Sequence, residues 1–143
     1  MFGRQLDWVL ADQVGGQTRW LLQGPLGTVR DLVADDASAL NHYTYESFGR
    51  LESQTQPGSA NSLQFTGRPF DPVSGLGYYR AREYDPALGR FLQEDPRLPF
   101  RYEYAECNPN SFIDPTGETA ILEYALMLCD LPPHGAPDSG ESE

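Results

Sequence analysis

The sequence predicts a mainly β chain, built from antiparallel strands and hairpins, with one short helix near its C-terminus and an acidic, disordered tail. Two observations carry this. Glycine and proline are dense, with 14 Gly and 12 Pro in 143 residues, which implies many turns between short elements. Short alternating segments are separated by turn signals every ten to fifteen residues or so, a spacing that suits hairpins better than βαβ units.

Leu6, Trp8 and Leu10 alternate with polar or smaller residues, and Gly15-Gly16 makes a turn. Residues 18–23 (TRWLLQ) form a strand candidate, ended by Gly24-Pro25 and Gly27. Residues 28–33 (TVRDLV) form the next, followed by the polar pair Asp35-Asp36. Residues 40–48 (LNHYTYESF) alternate so that Tyr43 and Tyr45 share a face. A polar loop at 52–61 follows. An aromatic strand followed by Gly-Arg-apolar occurs at 43–51 and again at 78–91, a faint internal repeat.

The middle of the chain holds four Asp-Pro pairs, beginning at Asp71, Asp85, Asp95 and Asp114. Asp71-Pro72 and Asp85-Pro86 continue to Gly75 and Gly89, and Asp114-Pro115 continues to Gly117. Such a unit is a turn: the carboxylate accepts N–H groups two or three residues on, Pro presets φ, and Gly takes the left-handed position. Read as one strand, residues 76–84 (LGYYRAREY) place Leu76, Tyr78, Arg80, Arg82 and Tyr84 on one face. That face suits cross-strand stacking of arginine on tyrosine, with Tyr78, Arg80, Arg82 and Tyr84 as the stacking residues. Residues 118–130 change to a helical period, with Ile121, Leu122, Ala125, Leu126 and Cys129 as the apolar positions. Pro132-Pro133 stops it, and the remainder is polar and acidic.

Net charge is −11, and every basic residue is arginine. Residues 1–117 carry ten Arg against fifteen acids, whereas residues 118–143 carry six acids and no Arg. This balance argues against a nucleic-acid partner, which needs a clustered positive field. No apolar run approaches the roughly 20 residues of a membrane span, and residues 1–13 have no signal-peptide stretch. The compartment is left open. Cys107 and Cys129 form no CxxC pair and have no histidine at ligand spacing, so neither a metal site, a cofactor nor a disulfide framework is expected.

Residues 65–96, FTGRPFDPVSGLGYYRAREYDPALGRFLQEDP, resemble the RHS repeat-associated core. That family's pattern runs approximately FTGxxxDxxTGLYYYRARYYDPxxGRFLxxDP, then NLYxYxxNNPxxxxDPxG. The second part is matched here by Tyr102, Tyr104, Asn108-Pro109 and Asp114 to Gly117. Upstream, GPLGTVRDLV (24–33) and YTYESFGRL (43–51) resemble the YD-type repeats that precede such a core. The resemblance divides the chain into terminal YD-type strands at 1–63, the core at 64–117, and helix plus tail at 118–143. It implies a large hollow β-shell that the core closes or plugs. In several family members the core is an intramolecular aspartyl protease that cuts just after the last DPxG and frees a C-terminal toxin; animal teneurins share the shell.

The chain departs from this pattern. Gly77 and Glu83 replace tyrosines, Cys107 replaces an asparagine, and the glycine-rich spacer after Asp95-Pro96 is shortened to RLPFRY. The expected function is therefore structural: a closing segment of an RHS shell, as a detached or truncated C-terminal part of a larger toxin-type or surface protein. Its expected partners are the remainder of the shell or another chain, including a second copy. The competing reading makes Asp95 and Asp114 a self-cleaving pair, because two close carboxylates can share a proton. Arg97 and Arg101 flank Asp95 and are expected to lower its pKa, which opposes that chemistry. A third reading is an interaction module that binds through open strand edges.

Overall fold

The computed structural model describes residues 9–98 and 101–122. The first half is a five-stranded antiparallel meander. Its strands are β1 (Ala11–Val14), β2 (Gln17–Gln23), β3 (Val29–Ala34), β4 (Ala39–Tyr45) and β5 (Leu51–Gln54), in chain order. Gly15 and Gly16 join β1 to β2 with φ of 60° and 81°. A two-residue hairpin loop twisted to match its strands needs positive φ at both positions, which glycine adopts at no steric cost. Alternation puts Leu21 inside and leaves Trp20 and Leu22 exposed. Leu21, Val29, Leu32 and Tyr43 form the core of this sheet. The fourth strand is shorter than the sequence pattern suggests: the Gly49 N–H bonds to the Glu46 carbonyl at 2.8 Å, so 46–49 is a turn.

The second sheet consists of β6 (Phe70–Asp71), β7 (Leu76–Tyr79), β8 (Arg82–Asp85) and β9 (Arg90–Phe91). Here the reading of 76–84 as one strand is corrected. Arg80 takes φ of 61° and the chain reverses, pairing Tyr79 with Arg82 and Gly77 with Tyr84. A two-residue turn moves the later residues onto the other side of the pleat. Tyr79, Arg82 and Tyr84 therefore share the buried face, while Tyr78 is 56% exposed and Arg80 sits in the turn.

That buried face meets Phe91, Tyr104 and Ala105, with Phe65 and Phe112 packed at the edge. Ring centroids lie 4.6 Å apart for Tyr84–Tyr104 and 5.5 Å for Tyr79–Tyr104, the latter edge-on. Each such aromatic pair adds about 0.5–1.5 kcal/mol beyond its area. Two of the three buried phenols in this core reach hydrogen-bond partners. Tyr84 donates to the Phe48 carbonyl at 2.7 Å, and the Tyr79 and Thr66 hydroxyls meet at 2.8 Å. These bonds also tie the two sheets together, as do Thr66 N–H to Thr28 Oγ1 at 3.0 Å and Val29 N–H to the Gln64 carbonyl.

β10 (Phe112–Ile113) pairs antiparallel with β11 (Ile121–Leu122). The helix expected from the apolar period is thus corrected at its first positions: Ile121 and Leu122 extend and pair with β10. The rest of that helix and the tail lie outside the described residues. Among the described residues no helix is long and apolar enough to cross a membrane.

The two DPxxG turns differ in their surroundings. Gly75 has φ of 76° and open space around its Cα, whereas a Cβ on Gly89 (φ 67°) would meet the Phe48 ring at 3.0 Å. Gly75→Val should cost about 1–3 kcal/mol from backbone strain alone. Gly89→Val should cost visibly more, because overpacking adds to the strain. Urea denaturation of the two variants beside the parent checks this; equal losses would mean that the Phe48 contact carries no energy.

Candidate functional site

Three of the four Asp-Pro turns share one local chemistry, with the carboxylate accepting N–H groups two and three residues on, and Asp114 reaches farther. Asp71 Oδ1 accepts the Val73 N–H at 3.0 Å, and Oδ2 accepts from Ser74. Asp85 Oδ1 accepts from Ala87 at 2.8 Å and Leu88 at 3.1 Å. Asp95 Oδ1 accepts from Arg97 at 2.8 Å and Leu98 at 3.0 Å. Asp114 Oδ1 takes the Glu118 and Thr119 N–H groups at 3.1 and 3.2 Å and the Thr116 hydroxyl at 3.3 Å. Pro72, Pro86 and Pro115 hold the second turn positions. Gly117, with φ of 69°, supplies the left-handed residue of the last turn.

What separates Asp95 and Asp114 from the other two is the second carboxylate oxygen. Both Oδ2 atoms lie against one nitrogen, Arg82 Nη2, at 3.1 Å from Asp95 and 3.2 Å from Asp114. Arg82 reaches them from the buried face of β8, with its side chain only 2% exposed. Its Cζ sits 3.8 Å from the centre of the Phe91 ring, and its Nε donates to the Gly117 carbonyl. The guanidinium is thus stacked on a ring, set through Nη2 against both carboxylates and bonded through Nε to the backbone, while Nη1 is buried without a partner among the described residues; the planar arginine group permits this combination and lysine does not. Sequence reasoning placed Arg82 among the stacking residues and weighed Arg80, Arg82 and Arg90 together as possible partners of an active-site carboxylate, without singling out Arg82. The turn at Arg80, which redirects Arg82 inward, is the step it missed.

The cluster opens on a cavity of about 530 Å³, walled by Arg97, Arg101, Glu106, Cys107 and Glu118 among others. Along one wall, Ala105, Glu106 and Cys107 have φ of 50°, 52° and 59°, three successive left-handed residues without a glycine. Among the described residues there is no cluster of three or more His, Cys, Asp or Glu placed to hold a metal.

Asp95 is held below the ordinary carboxylate range. Burial pushes its pKa up, but the Arg97 and Leu98 N–H groups and the Arg82 guanidinium together outweigh that. Arg97 acts differently from the sequence expectation: it contributes its backbone N–H, and its side chain turns to Glu118 and Thr119. Because the folded pKa is depressed, the stabilisation from Asp95 is fully present above the unfolded value of about 4 and is lost as pH falls through the folded value. Tyr104, in the core beside this cluster, is pushed up to about 12, mainly by burial, so its phenol is neutral across the physiological range.

The chain is similar to several known proteins. Salivary gland surface protein 1 of Aedes aegypti is 36% identical over 101 residues, 68% of this chain and 3% of that protein. The probable deoxyribonuclease RhsB of Dickeya dadantii (strain 3937) is 35% identical over 74 residues, 49% of this chain and 5% of that protein. A crystal structure of TcdB2-TccC3-Cdc42 superposes with a TM-score of 0.67 over 75% of this chain and 5% of that chain, at 23% identity. The chain belongs to the RHS/YD-repeat family. No family model matches it. The RHS chain described here spans only a few per cent of the length of these proteins, and its mainly β, antiparallel architecture is the shell-like fold of the solved relative. It is a structural segment of RHS type.

Proposed function

We propose that this RHS core closes the end of a β-shell and that Asp95 and Asp114 serve there as structural acceptors, not as a hydrolytic pair. One observation carries the reading: both oxygens of each carboxylate have partners, the N–H groups of its own turn for Asp95 Oδ1, the Glu118 and Thr119 N–H groups just past its turn for Asp114 Oδ1, and the shared Arg82 for both Oδ2 atoms. A guanidinium between two carboxylates stabilises both charges, which removes the reason to share a proton. The shell's other strands are the natural partners of β1, the outer strand of its sheet, and of the exposed Val14, Trp20 and Leu22 beside it.

Self-cleavage is the second reading, and the convergence of Asp95 and Asp114 on one cavity favours it. The Glu118 and Thr119 N–H groups rest on Asp114 in that same place, so the backbone after Gly117 passes directly by the Asp114 carboxylate. Intact-mass measurements on purified protein over days, at neutral and mildly acidic pH, separate the two. The structural reading expects one undiminished mass. A product ending a few residues after Gly117, abolished by Asp95→Asn or Asp114→Asn, would establish the protease.

A further inference from the structure

We propose that Arg97 is a positioning residue that locks the chain leaving the core against the Asp95–Arg82–Asp114 cluster. Its backbone N–H donates to Asp95 Oδ1 at 2.8 Å. Its guanidinium donates from Nη2 to Glu118 Oε2 at 2.9 Å and from Nη1 to Thr119 Oγ1 at 3.1 Å. Glu118 and Thr119 in turn give their N–H groups to Asp114 Oδ1, and Asp114 Oδ2 returns to Arg82 and so to Asp95. The bonds form a closed circuit around one wall of the cavity, and Arg97 is the residue that completes it.

The inner and outer halves of the circuit differ in kind. Arg82 and Asp114 are each 2% exposed at their side chains, whereas Arg97 and Glu118 are 64% and 39% exposed. The inner contacts are sheltered from salt. The outer ones are screened by it and are individually weak. Two donors on one planar guanidinium nevertheless fix a direction as well as a distance, so Arg97 sets where residues 118 and 119 lie relative to the aspartates. The inference deepens the structural reading of this cluster. Its test follows exchange and not cleavage, so either can fail without the other.

Hydrogen exchange on the full chain tests it. Arg97→Ala should speed exchange at the Glu118 and Thr119 amides a few-fold, while the amides of Tyr84 and Tyr104 in the core keep the parent rates. High salt should produce the same local change in the parent. The charge swap, Arg97→Glu with Glu118→Arg, should restore much of the lost protection. Unchanged exchange at 118 and 119 in Arg97→Ala would overturn the proposal. So would a loss of protection spread across the core, or a swap that rescues nothing.

Discussion

Arg82→Ala is expected to be the most destabilising single side-chain truncation in this chain, at about 3–5 kcal/mol, because it leaves buried carboxylates without their counter-ion. Asp114 is 2% exposed and Asp95 11% exposed at their side chains, and Arg82 is the cation both share. The truncation also removes the contact with the Phe91 ring and the bond to the Gly117 carbonyl. Chemical denaturation at neutral pH reads the loss. Arg82→Lys should recover only part of it, since an ammonium keeps the charge but cannot lie flat on the Phe91 ring while also bonding the Gly117 carbonyl and both carboxylates. A loss under about 1 kcal/mol, the size of a surface ion pair, would show that the cluster is solvated.

Gly117→Ala should be nearly as damaging, and for a reason independent of charge. A Cβ there would lie 2.4 Å from the Tyr79 carbonyl oxygen and 3.1 Å from the Arg82 amide nitrogen, at a φ of +69°. Both neighbours are backbone atoms of the β7–β8 hairpin, so no side chain can swing away. Overpacking of this kind costs about 1–3 kcal/mol, and the left-handed backbone adds roughly 1 kcal/mol for a residue with a Cβ. Gly75→Ala, at a φ of +76° with nothing nearby, is the matched control and should lose the backbone part alone. Melting curves of the two variants compare them directly. Equal melting temperatures would mean that the last DPxG turn can lift off the hairpin at no cost.

Much of the fold is legible from local pattern. Alternation locates β2, β3 and β4, and Gly15-Gly16 marks the first hairpin, because these signals depend only on neighbouring residues. The reversal at Arg80 is not legible in the same way. Residues 76–84 alternate well enough to pass for one strand, and neither Arg80 nor Ala81 is a turn former. The turn is fixed from a distance: the Ala81 N–H donates to the Tyr79 carbonyl and also lies 3.2 Å from the Thr116 carbonyl. Similarly, Ile121 and Leu122 carry a helical spacing, yet pairing with Phe112 and Ile113 extends them, an instance of tertiary contact overriding a short periodic signal. For the site, the Asp-Pro pairs announce turns, and only the family resemblance sets Asp95 and Asp114 apart; nothing in the local sequence ties either to Arg82. The physical link between them is the buried Arg82, whose partners lie 13 and 32 positions along the chain.

Whether Asp95 is a charged structural acceptor or half of a proton-sharing pair is tested most directly by carbon-detected NMR titration of its carboxyl group in the intact chain. Arg82 and the Arg97 and Leu98 N–H groups should keep it ionised to below the ordinary value of about 4. An Asp95 carboxyl that instead holds its proton well above that value, toward neutrality, would contradict the structural reading and restore the aspartates as a catalytic pair.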